Sequence, residues 1–189
     1  MRIYLDVDGV LADFVVGACA CLGKPDPYRE PLQTSHAGVY RMEAFWGMKG
    51  VDFWAPLDAA GADFWAGLPL MPDAGGIYSY FVDLVGLDNV VLLTCCAHHP
   101  SAAEGRMRWI QKMFPTCRNY FVGSIFSAKT SVLAPDAVLV DDCDAHVEAY
   151  SAAGGAAFLC PRAWNSLWPY RKNSVAFLRD AFQAYDRGR

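Results

Sequence analysis

Five short runs of apolar β-formers punctuate this chain: residues 3–6, Val90-Val91-Leu92-Leu93-Thr94, Tyr120-Phe121-Val122, Ala137-Val138-Leu139-Val140-Asp141 and Ala156-Ala157-Phe158-Leu159. A strand with one wet face alternates apolar and polar residues, and these do not. Helical stretches lie between them. Continuous apolar strands separated by helices predict an α/β fold, a Rossmann-like parallel sheet with helices on both faces. The chain has 189 residues, room for one domain or for a core with one insertion. Of these residues 54% are hydrophobic, enough for a large core.

Residues 11–22 read as a helix ending before Gly23-Lys24-Pro25, and residues 73–85 as one stopped by Gly86. A third helix opens with Ser101-Ala102-Ala103-Glu104, the pattern of a capping box, and carries Met107, Ile110 and Met113-Phe114 on one side. Within residues 171–185, Val175, Leu178, Phe182 and Tyr185 recur at helical spacing, a face for docking. Residues 24–72 break the alternation. Prolines stand at 25, 27, 31, 56, 69 and 72, aromatic residues are dense, and only short helical pieces over 39–48 and 58–66 are legible. The expected organisation is a core of residues 1–12 and 76–189, with a small helical cap, residues 13–75, inserted after the first strand.

The formal net charge of -4 and the lack of any basic run speak against a nucleic-acid polymer as partner. No stretch is long and apolar enough to predict a membrane span. The N-terminus enters a strand without the regions of a signal peptide, so the expected location is cytoplasmic. The seven cysteines, odd in number and without framework spacing, are then expected as reduced thiols. A homodimer is compatible with the sequence, which does not choose an oligomeric state.

In open parallel sheets, ligands bind beyond the carboxyl ends of the strands. The polar residues at those ends are therefore candidates. The first strand runs into Asp6-Val7-Asp8-Gly9-Val10-Leu11-Ala12-Asp13, placing two acids at a turn that Gly9 permits. Burying two acids beside a sheet is costly unless a cation or a proton offsets them. The second strand ends in Thr94, and the fourth in Asp141-Asp142 with Asp144 close behind. Lys129 lies just before the fourth strand, in Ser127-Ala128-Lys129-Thr130. Asp141-Asp142 alone would serve equally as a helix cap, and Lys129 alone as a solvated surface group. Together these residues form an oxygen-rich, imidazole-poor set, which favours a hard cation, Mg²⁺ above all.

The order Asp6-Val7-Asp8-Gly9-Val10, then Leu93-Thr94, then Lys129, then Val140-Asp141-Asp142 resembles the haloacid dehalogenase superfamily of phosphohydrolases over roughly residues 1–160. More narrowly, the opening through Phe14 resembles the 5'(3')-deoxyribonucleotidases. So does Asp63-Phe64-Trp65-Ala66-Gly67-Leu68-Pro69-Leu70-Met71-Pro72. The resemblance implies Asp6 as nucleophile and Asp8 as acid and base. It implies Thr94 as a donor to phosphate and Lys129 as the offset of crowded charge. It implies Mg²⁺ on the Asp6 carboxylate, the Asp8 backbone carbonyl and an acid of the fourth strand end. Asp142 is favoured as that ligand, with Asp141 behind it. Phe14, Phe45 and Trp46 are the candidates to stack on a base.

Where related proteins often have Ser-Pro, this chain has Cys95-Cys96, so Cys95 and His98 become candidates to reach the substrate. The stretch Cys95-Cys96-Ala97-His98-His99 does not have the spacing of a structural zinc site. Pro161-Arg162-Ala163-Trp164-Asn165 resembles a loop near the site in related proteins. The expected activity is a Mg²⁺-dependent phosphatase for nucleoside monophosphates. The alternatives are a phosphatase for another small phosphorylated metabolite and a non-catalytic nucleotide-binding module.

Overall fold

The structure, a computed structural model, describes residues 1–29, 33–96, 99–124 and 128–188. Its centre is a sheet of β1 (Arg2–Asp6), β2 (Val90–Cys96), β3 (Tyr120–Ser124), β4 (Ala137–Asp141) and β5 (Ala156–Leu159). The spatial order is β3-β2-β1-β4-β5 and every pairing is parallel. The Rossmann-like α/β fold expected from the apolar runs is present. β1 lies in the middle, so the turn after Asp6 opens between the carboxyl ends of β2 and β4.

Helices α1 (Phe14–Leu22), α2 (Gln33–His36) and α3 (Gly50–Ala66) follow β1, and α4 (Ala74–Val85) leads into β2. Helices α5 (Ser101–Met113), α6 (Asp144–Ala152) and α7 (Ser174–Arg187) complete the set. Side chains along a strand alternate between faces. Ile3, Leu5, Leu92, Val138 and Val140 meet Ile77 and Phe81 of α4, Trp109 and Ile110 of α5, and Leu178 and Phe182 of α7. Leu93 and Leu139 face the other way, against Tyr150 of α6. One face is thus covered by three helices and the other more thinly.

A second cluster joins Val15, Ala18 and Cys19 of α1 to Tyr28, Met42, Phe53 and Leu57. α3 serves both clusters, because Trp65 near its end belongs to the sheet core. Between them its backbone kinks at Gly61, where φ is 65° and ψ is -152°.

Several sequence expectations require correction. The first helix starts at Phe14 rather than residue 11. Residues 10–12 are held in a turn, with the Leu11 and Ala12 N–H groups donating to the Val7 carbonyl at 2.9 and 2.7 Å. Asp13 caps α1 by accepting from the Val16 N–H at 3.0 Å. The helical pieces expected over 39–48 and 58–66 are a 3₁₀ turn at Met42–Trp46 and the whole of α3. The capping box at Ser101 does not form: Ser101 is already inside α5, and its hydroxyl pairs with His99 Nδ1 at 2.6 Å. Met107 stands exposed, while Ala102, Gly105, Arg106, Trp109 and Ile110 form the buried face. Among the described residues the cysteines form no disulfide. Among the described residues no helix is long and apolar enough to cross a membrane.

Candidate active site

The turn after β1 is held closed from two sides. The Asp13 N–H donates to the Pro69 carbonyl at 2.8 Å, and the Met71 N–H to the Leu11 carbonyl at 2.8 Å. Gly9 sits at φ 76°, a left-handed conformation, and a Cβ there would lie 2.1 Å from Asp142 Oδ2. No other residue fits. The close approach brings the β1 turn against the end of β4.

At that junction Asp6, Asp141 and Asp142 each offer an oxygen within 4.8 Å of the others, and all three are buried. Lys129 is buried beside them. Its Nζ lies 2.7 Å from Asp6 Oδ1 and also pairs with Asp141 Oδ2. Burial alone favours a neutral amine, but the charges of Asp141 and Asp6 outweigh it and hold Lys129 protonated, its pKa above the ordinary value. Burial also raises the acids. It pushes Asp6 up to about 7, against the pull of Lys129 and with Asp141 and Asp8 adding to the rise. Burial, then Asp141 and Asp6, push Asp142 well above the usual carboxylate range. For Asp141, burial is outweighed by Lys129 and His146, and its pKa falls.

Asp141 has no oxygen to spare. Oδ2 is on Lys129, while Oδ1 accepts from the Cys143 N–H at 2.9 Å and lies 3.2 Å from His146 Nδ1. Asp142 differs. Its Oδ2 accepts from Trp164 Nε1 at 2.5 Å, whereas Oδ1 is buried without a partner. An orphaned carboxylate oxygen amid two more acids and one ammonium suits a hard divalent cation, which would relieve the excess negative charge. Asp6 and Asp142 would be its side-chain ligands.

These groups open onto a cavity of about 560 Å³. Asp6, Asp8, Phe14, Cys95, Lys129 and Asp142 line it. Asp141 and Thr94 do not; both are fully buried behind the wall. The Thr94 hydroxyl is buried there without a hydrogen-bond partner. Burial and neighbouring acids raise the Cys95 thiol against the pull of Lys129, so it stays protonated. Cys96 turns away into the sheet core, as the alternation of a strand requires, so the two thiols do not share a ligand. His98 lies outside the described residues.

Phe45 and Trp46 are a correction: neither lines the cavity. Phe45 stacks on His36 at 3.7 Å and meets Tyr28 edge-on, and Trp46 lies over Phe53 at 6.3 Å. Both are consumed in packing the second cluster. The aromatic wall is Phe14, Tyr40, Phe53, Trp54, Trp65 and Trp164.

Two buried arginines went unassigned in the sequence reading. Arg162 donates to the carbonyls of Gly9 and Val10 and binds Asp73 through both terminal nitrogens, at 2.8 and 3.0 Å. Asn165 donates to the Asp142 carbonyl at 2.9 Å. The 161–165 loop therefore holds the β1 turn and both ends of Asp142. Arg106 of α5 pairs with Asp8. Its signal was available: it falls in the apolar stripe of α5, four residues after Ala102 and three before Trp109.

No family model matches the chain, and no curated protein does. Among solved structures it is similar to the L-2-haloacid dehalogenase of Xanthobacter autotrophicus, at 16% identity and a TM-score of 0.50. The match covers 89% of this chain and 80% of the dehalogenase. A HAD-family enzyme of Bacteroides thetaiotaomicron matches with a TM-score of 0.41, at 14% identity over 87% of this chain and 95% of that one. The same enzyme in complex with magnesium and inorganic phosphate gives 0.36, at 14% identity over 86% and 94%. At these identities the likeness to the dehalogenase establishes the fold.

Proposed function

We propose that this chain is a Mg²⁺-dependent phosphohydrolase of the haloacid dehalogenase superfamily that cleaves phosphate monoesters through an aspartyl-phosphate. The observation that carries the reading is the three-carboxylate cluster with Lys129 at its centre and Asp8 at the cavity wall. Asp6 attacks phosphorus and the bond to the leaving alkoxide breaks. Asp8 gives that oxygen a proton, then takes one from the water that attacks the aspartyl-phosphate, so inorganic phosphate leaves and Asp6 is restored. Burial raises the Asp8 pKa against Arg106, the direction an acid needs. Lys129 offsets charge between the phosphoryl group and the carboxylates. Held by Asp6, Asp142 and the Asp8 carbonyl, Mg²⁺ would supply the further positive charge that lets these acids ionise together. A halide leaves without a proton, so an acid in the place of Asp8 favours an ester substrate over a haloacid.

The reading predicts that phosphate release from a generic aryl phosphate stops in EDTA and returns with Mg²⁺ rather than Zn²⁺, because the donors are all hard oxygens. Full activity in chelator would sink it.

For substrate, we favour nucleoside monophosphates. A cavity walled by Phe14 and Trp54 offers flat faces to a base. Trp54 is the best test, as it is half-buried and meets Phe53 edge-on at 5.0 Å. Trp54→Ala is expected to lower kcat/KM for nucleotides by roughly ten- to hundredfold more than for a generic ester, the cost of about 1–3 kcal/mol of lost stacking. Equal losses on both substrates would point to another small phosphorylated metabolite.

A further inference from the structure

α5 carries Arg106 on its buried face beneath the cavity. The side chain is 2% exposed, yet it lines the cavity wall. Nη2 donates to Asp8 Oδ2, and the guanidinium lies 3.9 Å from the centre of the Trp65 ring. Nε and Nη1 are buried with no partner. A guanidinium has five N–H groups, and leaving them unpaired away from water is costly. The arginine cannot simply withdraw. A Cβ on neighbouring Gly105 would lie 2.4 Å from the Ala62 carbonyl oxygen and 2.5 Å from Trp65 Cβ, so α5 is pressed against α3 at this point. The guanidinium is therefore fixed beside Asp8, at the cavity wall.

We propose that Arg106 is a specificity-determining residue that donates to an oxygen acceptor on the leaving group, close to the scissile ester oxygen. This rests on the phosphohydrolase reading and names the leaving groups that the site selects. Asp8 protonates the ester oxygen. Arg106 is bound to Asp8 and lines the same cavity, so the guanidinium lies beside the atoms beyond that oxygen. A leaving group with a hydroxyl or carboxylate there completes the guanidinium's bonds; an alkyl leaving group strands them. The ribose oxygens of a nucleotide meet this requirement.

The test compares glycerol 3-phosphate with n-propyl phosphate, which match in chain length and differ in hydroxyls. Wild-type kcat/KM should favour glycerol 3-phosphate at least about tenfold, since a site built to bond an oxygen rejects the analogue lacking it. Arg106→Gln should lower glycerol 3-phosphate hydrolysis at least about tenfold more than propyl phosphate hydrolysis, and Arg106→Lys should restore part of the preference. Equal losses on both compounds would mean that Arg106 only positions Asp8. The wild-type preference needs no variant, so a misfolded variant leaves the test standing. Hydrolysis of both compounds by the wild type without preference would overturn this assignment alone. Release of phosphate from neither, by a wild type that hydrolyses the generic aryl phosphate, would also overturn this assignment alone; release from none of the three would overturn the phosphohydrolase reading together with it.

Discussion

Asp6→Asn is expected to reduce phosphate release by about a thousandfold or more while the protein stays folded. The amide keeps the shape of the carboxylate and can still accept from Lys129 Nζ, now 2.7 Å from Asp6 Oδ1. It cannot form an aspartyl-phosphate, and it is a poorer ligand for a hard cation. Burial already opposes charge on Asp6, so neutralising it removes a desolvation cost. The unfolding midpoint should hold or rise. The measurements are single-turnover phosphate release and urea unfolding on one preparation. Near-normal turnover by a folded variant would eliminate Asp6 as the nucleophile.

Lys129→Met is expected to damage both stability and activity. Lys129 is the ammonium buried between Asp6 and Asp141. Removing one partner of a buried ion pair costs about 3–5 kcal/mol, because the charge left behind has no partner. Both acids would then have folded-state pKa values above their unfolded ones. The folded variant binds more protons than the unfolded chain, so its stability falls as pH rises above the unfolded carboxylate range. The stability deficit against wild type should be larger near about pH 8 than near about pH 5 in metal-free buffer, and added Mg²⁺ should narrow it. Phosphatase activity should fall by about a hundredfold or more. A deficit independent of pH would mean that Lys129 contributes packing rather than charge.

Much of this arrangement was legible in the residues. Continuous apolar runs report strands buried on both faces, and β1, β2, β4 and β5 fall where those runs lie. Strand ends then dictate where polar groups collect, which is why Asp6, Lys129, Asp141 and Asp142 are found together. The helix boundaries were less legible. Ser101 matched a capping pattern, yet the chain entered α5 before it. Met107 matched the apolar spacing and faces solvent, while the charged Arg106 beside it is buried.

What the sequence by itself determined is the strands, their parallel sheet and the acids at the strand ends, because these follow from local periodicity and from the topology of an open sheet. The tertiary structure alone decided which oxygen of the Asp141-Asp142 pair is left without a partner and which aromatics face the cavity. It also decided that Asp8 meets an arginine 98 residues away. These depend on how elements pack across the fold. Phe45 and Trp54 are equally aromatic in sequence, but one is stacked on His36 and the other lines the cavity. Periodicity tells which side of a helix is buried. It does not tell against what, and the chemistry of a site is set by that second fact.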